Sequence, residues 1–171
     1  QTGAGRCGED FLLTKTLKID VDMVTMAKGF GNGAAIGAVL MKTDTSDKLT
    51  GKYYFNTFGG DPYQTAQAKI TMDIIREEKL VANAKNMGAL LKDGLEHMMK
   101  KHQIIGDVRG RGLLLGMELV KDRKTKAYAT EETIKFMDTC RDNGLLLGKG
   151  GLFGNVVRVV PPLAVKKEQI N

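Results

Sequence analysis

Apolar residues recur along this chain with two different periods, and the changes between them mark out its elements. From residue 62 to residue 101 the positions Ala66, Ile70, Ile74, Leu80, Ala84, Met87, Leu91, Leu95 and Met98 return every few residues, as one helical face does. Lys79 and the acids beside it interrupt that rhythm. The spacing therefore predicts a long helix broken near its middle, its first half packed on a sheet and its second leading into a smaller domain. Residues 21–27 and 34–42 are short, nearly continuous apolar runs, which suit buried strands, and the short link between them makes them neighbours in one sheet. Residues 104–109 and 112–120 read as two strands joined around Gly110 and Gly112. Thr130 is expected to cap a helix running through residue 143, with Glu131 and Glu132 in its first turn and Gly144 as its stop. Residues 145–147 and 156–160 supply two more strands, and a last helix is expected from Lys166. Such a second half is of α+β type.

Turn chemistry sharpens one boundary. Residues 44–52 are polar and turn-like, and two tyrosines then lead into Phe55, Asn56, Thr57, Phe58, Gly59 and Gly60, followed by Asp61 and Pro62. That order predicts a loop entering a helix, with Asp61 as N-cap and Pro62 at the first helical position.

Composition narrows the class without naming it. The chain has 171 residues, is 42% hydrophobic and 27% charged, and carries a net charge of +6, as a folded globular protein does. Its apolar runs are too short to cross a bilayer, and no charged segment followed by an apolar run opens it as a signal peptide would. The basic residues alternate with acids and form no arginine-rich run interleaved with aromatics, so nucleic acid is not an expected partner. Cys7 and Cys140 form no C-x-x-C pattern, which fits free thiols in a reducing, intracellular compartment, cytoplasmic or mitochondrial. His97 and His102 lack nearby cysteines or a carboxylate pattern, so they are read as solvated and no metal is expected. With Ser46 as the only serine and both histidines on the long helix, a Ser-His-acid triad has no good arrangement. Met87, Met98 and Met99 are read as core.

Three side chains carry candidate chemistry. Lys28 directly follows the strand at 21–27 and precedes Gly29, Gly31 and Gly33. The glycines let the backbone turn and leave room for a flat ligand. A desolvated lysine sheds its proton more easily, and a neutral amine attacks a carbonyl to form a Schiff base. Spacing alone leaves open a lysine that merely ends a strand in water. Thr57 sits where a hydroxyl and free backbone N–H groups would seat an anion near a helix N-terminus, or where it would simply bond its own turn. Arg158, framed by two valines on each side, is apt for gripping a carboxylate with two parallel hydrogen bonds, though it would also suit the solvent face of an edge strand. Two glycine patterns are set aside: residues 29–34 end on alanine where a dinucleotide fingerprint needs glycine, and residues 144–149 are one short of a phosphate loop.

Motifs in register point further. QTGAGR at 1–6, DMVTMAKG at 22–29, GAV at 37–39, FNTFGG at 55–60 and RVVPPL at 158–163 stand in the order seen in the class-III pyridoxal-phosphate aminotransferases, which the chain resembles over essentially its whole length. The wording at 55–60 and at 105–110 is most similar to that of the mitochondrial alanine:glyoxylate aminotransferases. The resemblance implies a fold-type I α/β architecture: residues 1–78 as the later part of a large domain, a mostly parallel sheet with helices, and residues 79–171 as most of a small α+β domain. It implies pyridoxal 5'-phosphate held by Lys28, its phosphate bound by Thr57 of the opposite subunit of a homodimer, Gln1 near the ring's phenolic oxygen, and Arg158 on the carboxylate of amino-acid and 2-oxo-acid substrates. Because the family's phosphate loop, ring-stacking aromatic and pyridine-nitrogen acid all precede the residue matched by Gln1, the chain is expected to be a C-terminal fragment, inactive alone. Transfer from ω-amino donors, lyase or mutase chemistry on the same scaffold, and a module without cofactor are the alternatives.

Overall fold

The computed structural model describes residues 2–170. After an N-terminal loop and the single turn α1 (Leu13–Thr16), the chain forms β1 (Met23–Ala27), a turn of 3-10 helix at Lys28–Gly31, β2 (Gly37–Met41) and the short α2 (Thr43–Asp47). Then come α3 (Pro62–Glu77), α4 (Leu80–Lys101), β3 (Ile105–Arg111), β4 (Leu114–Leu119), α5 (Thr130–Asp142), β5 (Gly148–Gly150) and β6 (Val156–Val159).

The expected strand pair of the first part is present, in register from Met23 opposite Met41 to Ala27 opposite Gly37. It runs antiparallel, and it is far less covered than its apolar sequence predicts. Met26 is buried against Phe30 and Ala68, whereas Met23 is 55% exposed and Val39 52%. The strands lie on α3 by one face, and among the described residues nothing covers the other. The polar stretch at 44–52 contains the short α2 rather than turns alone.

Helix α3 starts as its sequence dictates. Asp61 Oδ1 accepts from the Gln64 N–H at 2.9 Å and Pro62 occupies the first turn, satisfying one of the free donors every helix start carries. The break falls where the rhythm failed: Lys79 adopts a left-handed conformation, φ 53°, between α3 and α4.

Helix α4 and helix α5 cover one face of an antiparallel sheet of order β3-β4-β6-β5. Along β4, Leu115, Met117 and Leu119 point inward and join Leu95, Ile105, Val108, Ala129 and Val157 in the main core. Each such side chain contributes about 1.5–3 kcal/mol on burial. A second cluster of Ala84, Leu113 and Val165 ties α4 to the β3–β4 hairpin tip and the C-terminal segment. There the backbones nearly touch: a Cβ on Gly88 would stand 2.2 Å from the Gly112 carbonyl, and one on Gly112 would stand 2.3 Å from the Arg6 carbonyl oxygen. Neither position has room for a side chain. Cys7 and Cys140 are free thiols, as the sequence suggests.

Several boundaries differ from expectation, each for a local reason. The β3–β4 ladder continues through Gly110 opposite Leu115 to Arg111 opposite Leu114, so the turn is at Gly112 and Leu113. Gly110, at φ 130°, bends within the strand instead of ending it. Helix α5 is capped by Ala129, because the Thr130 hydroxyl donates instead to the Phe153 carbonyl at 2.8 Å. Gly144 does stop it, at φ 84°, but the Leu145 N–H then bonds back to the Cys140 carbonyl at 2.8 Å. That commits residue 145 to the helix end, and the strand expected at 145–147 forms instead at Gly148–Gly150. The expected last helix is a single 3-10 turn, Lys167–Gln169, within the described residues. Met87 and Met99 pack against the cores, while Met98 is 38% exposed and is not core.

Candidate functional site

Lys28 occupies the first residue of the 3-10 turn that follows β1 and is held at φ 57°. A left-handed conformation costs a side-chain-bearing residue roughly 1–2 kcal/mol and persists only where its surroundings impose it. Here they do. Phe30 is 4% exposed and wedged against Met26 and Ala68, and the Gln67 side-chain amide on α3 donates to the carbonyls of Gly31 at 3.0 Å and Asn32 at 3.1 Å. A Cβ on Gly31 would come within 2.5 Å of Ile36 Cγ2. The turn is thus fixed from below by helix α3. Lys28 itself is exposed, so the desolvated amine foreseen from the sequence is not produced by this chain's own residues. Nothing lies within 4 Å of where a Cβ on Gly29 or Gly33 would stand.

Beside this turn is a cavity of about 350 Å³, bordered by Ala27, Gly29 and Asn32 on one side and by Arg6, Pro162 and Leu163 on the other. Pro162 and Leu163 directly follow the strand that carries Arg158. Arg6 closes the gap between these parts: its Nη1 donates to the Pro161 carbonyl at 2.6 Å and to the Leu113 carbonyl at 3.3 Å. Burial pulls its pKa below the ordinary guanidinium value, with the neighbouring Cys7 opposing. Arg6 is thus a tie between loops, across 155 residues of chain.

Arg158 lies on β6, which is flanked by β4 and β5, so it is not on an edge strand. Its neighbour Val157 is fully buried, and Arg158 points to the uncovered face. The register forms one rung across the sheet, Arg109, Gly116, Arg158, Gly148. The guanidinium leans over β5, where a Cβ on Gly148 would stand 3.0 Å from Nε and 3.1 Å from Nη2. Among the described residues it has no ion pair. Arg109 on the same face is the opposite case: its Nη1 is 2.6 Å from both Asp107 Oδ2 and Glu118 Oε2. Those two carboxylates hold the Arg109 pKa above its ordinary value, the hydrogen bond to Asp107 being the largest single cause.

Thr57 is in the exposed turn at 57–60. Asn56, not Thr57, shapes that turn, its Oδ1 accepting from the Phe58 N–H at 3.0 Å and its carbonyl from the Gly59 N–H at 2.9 Å. The Thr57 hydroxyl has no partner among the described residues. The turn borders a separate hollow of about 240 Å³ with Gly37 and Gln64, so within one chain Thr57 is not brought to the cavity beside the Lys28 turn. Gln1 lies outside the described residues. His97 and His102 are both exposed. Among the described residues no cluster of three or more His, Cys, Asp or Glu side chains is placed to hold a metal, and no helix is long and apolar enough to cross a membrane.

The sequence pattern of the family described as aminotransferase class-III matches residues 1–171. The mitochondrial alanine–glyoxylate aminotransferase 2 homolog 2 of Arabidopsis thaliana is 48% identical over 98% of the chain, which spans 35% of that relative. A phospholyase from Arthrobacter, solved in complex with phosphoethanolamine, superposes with a TM-score of 0.94 at 30% identity, over 99% of this chain and 40% of that one. The omega transaminase of Pseudomonas jessenii, solved in complex with PMP, gives 0.86 at 30% identity, over 99% of this chain and 39% of that one. The chain therefore spans a little over a third of the length of these relatives. The matched pattern covers the Lys28 turn, the Thr57 turn and the Arg158 strand together, and this chain belongs to the class-III aminotransferases.

Proposed function

We propose that the protein carrying this sequence moves an amino group from an amino acid to a 2-oxo acid with pyridoxal 5'-phosphate, with alanine and glyoxylate as the favoured pair. The observation that carries the reading is Lys28, lifted into a left-handed turn at the end of β1 beside a cavity that also borders the exit of the Arg158 strand. The 48% identity to an alanine–glyoxylate aminotransferase homologue supports the choice of substrates.

The residues present suit the cofactor. Open space stands beside Lys28 at Gly29 and Gly33, its amine has no partner among the described residues, and an amine so placed condenses with an aldehyde once it is neutral. Lys28 would hold the cofactor through Nζ, and Thr57 of a second copy would bind its phosphate, with Gln1 near the ring. When bound, the cofactor supplies an electron sink for the bonds at the substrate's α carbon. Lys28 Nζ accepts the proton from that carbon and later returns one. Arg158 orients the substrate through its carboxylate, and Gln67, by bonding the carbonyls of Gly31 and Asn32, holds the turn from which Lys28 projects. Residues 1–78 belong on this reading to the cofactor-binding domain and 79–171 to the smaller one, in a homodimer with shared sites. The exposed Lys28 and the share of the relatives' length that the chain spans support a further expectation, that the 171 residues do not catalyse by themselves. The Arabidopsis relative's mitochondrial name supports the same compartment here.

A second reading has its own support. The similarity to a phospholyase bound to phosphoethanolamine makes elimination of phosphate the competing chemistry on this scaffold. Product analysis of the complete protein with alanine and glyoxylate, set against ornithine, 4-aminobutyrate and phosphoethanolamine, separates them. Pyruvate and glycine are expected. Phosphate release from phosphoethanolamine with no pyruvate from alanine would replace the proposal by the lyase reading.

A further inference from the structure

The free state of Arg158 needs an explanation, because two carboxylates lie on its own face of the sheet. Glu118 is opposite Val156 on the neighbouring strand, which makes it the diagonal neighbour of Arg158. Diagonal neighbours stand about 7–8 Å apart at their backbones, within reach of long side chains. Gly116, directly opposite Arg158, puts no side chain between the two. A glutamate and an arginine so placed would ordinarily pair, yet both oxygens of Glu118 are engaged elsewhere. Its Oε2 is 2.6 Å from Arg109 Nη1, and its Oε1 accepts from Asn155 Nδ2 at 3.3 Å. Asp107, opposite Glu118 on β3, is bound to the same Arg109 nitrogen at 2.6 Å. The Arg158 guanidinium leans away from β4, over Gly148.

We propose that Arg109 is a positioning residue for Arg158: by holding Glu118 it keeps that carboxylate off Arg158 and leaves the guanidinium free for the carboxylate of a substrate. The inference rests on the reading of Arg158 given above. An internal carboxylate on the same sheet face competes with a dissolved one at a high effective concentration. Sequestering it on a second cation keeps the binding fork empty without removing the acid. Asn155, which directly precedes β6, is 2% exposed and itself bonded to the Leu119 carbonyl at 2.9 Å, and gives Glu118 a second fixed contact.

The test is a set of variants in the complete, cofactor-loaded protein, read as KM and kcat for an amino acid. Arg109→Gln is expected to raise KM about tenfold while kcat stays within about twofold. Arg109→Gln combined with Glu118→Gln is expected to bring KM back to within about twofold of the parent, since the competing carboxylate is gone. If the glutamine variant does not fold, Arg109→Met, which keeps the aliphatic stem, carries the same test. A raised KM that the double variant does not rescue would show a structural role only and overturn the proposal. An unchanged KM in Arg109→Gln, with a large rise in Arg158→Gln, would also overturn it while leaving Arg158 as the carboxylate ligand. No change in either would remove the reading of Arg158 on which it rests.

Discussion

The two sheets of this molecule finish their folding to different degrees. The four-stranded sheet buries Leu115, Met117, Leu119 and Val157 to 3% exposure or less beneath α4 and α5. The β1–β2 pair, equally apolar in sequence, leaves Met23 and Val39 more than half exposed and is held by α3 from one side only. Arg158 thus stands on a completed platform, its rung fixed by strands on both sides. Lys28 stands on a turn that is pinned from below and open above. Of the two candidate elements, the strand carrying Arg158 is fixed on both sides in this chain, whereas the turn carrying Lys28 is open above. That difference explains why an amine expected to be desolvated is exposed here.

The largest effect is expected on the open side. Lys28→Ala should lower amino transfer by the complete protein roughly 10³-fold, measured as oxo-acid formation. A loss of only a few-fold would mean the turn carries no chemistry. Next comes stability, where the two sheets should part company. In the 171-residue chain, Leu115→Ala should cost about 3 kcal/mol by denaturant unfolding, and Met23→Ala less than about 0.5 kcal/mol. Equal losses at both sites would erase the contrast. Gly148→Ala sharpens it from the other direction. Its methyl would press on the Arg158 guanidinium, now 3.0 Å from that point, so KM for an amino acid should rise about fivefold with little change in melting temperature. The smallest effect is expected at Asp61→Ala, about 1 kcal/mol through loss of the α3 cap, read by thermal unfolding.

Local signals were legible in the sequence, and long-range ones were not. The broken helix, the Asp61–Pro62 start and the pairing of the two apolar runs follow from spacing within a few residues. Three separate motifs, with the resemblance they carry, singled out Lys28, Thr57 and Arg158. What escaped depends on partners far away in the chain. Arg6 meets Leu113 and Pro161, 107 and 155 residues on, and no pattern around it announces either. The pairing of Arg109 with Glu118 depends on register, which shifts between Ile105 and Asp107. Gly110 looks like a turn residue because its role inside a bent strand appears only once Leu115 is opposite it. The leucines at 145–147 have strand-like composition, but the helix stop at Gly144 uses the first of them.

The central claim is that Lys28 is the amine that holds the cofactor. Borohydride reduction of the complete protein loaded with pyridoxal 5'-phosphate, followed by digestion and peptide mass mapping, tests it most directly. The account predicts a pyridoxyl group on the peptide containing Lys28 and its absence in Lys28→Ala. A protein that transfers amino groups but carries the pyridoxyl group on another lysine, or on none, would contradict it.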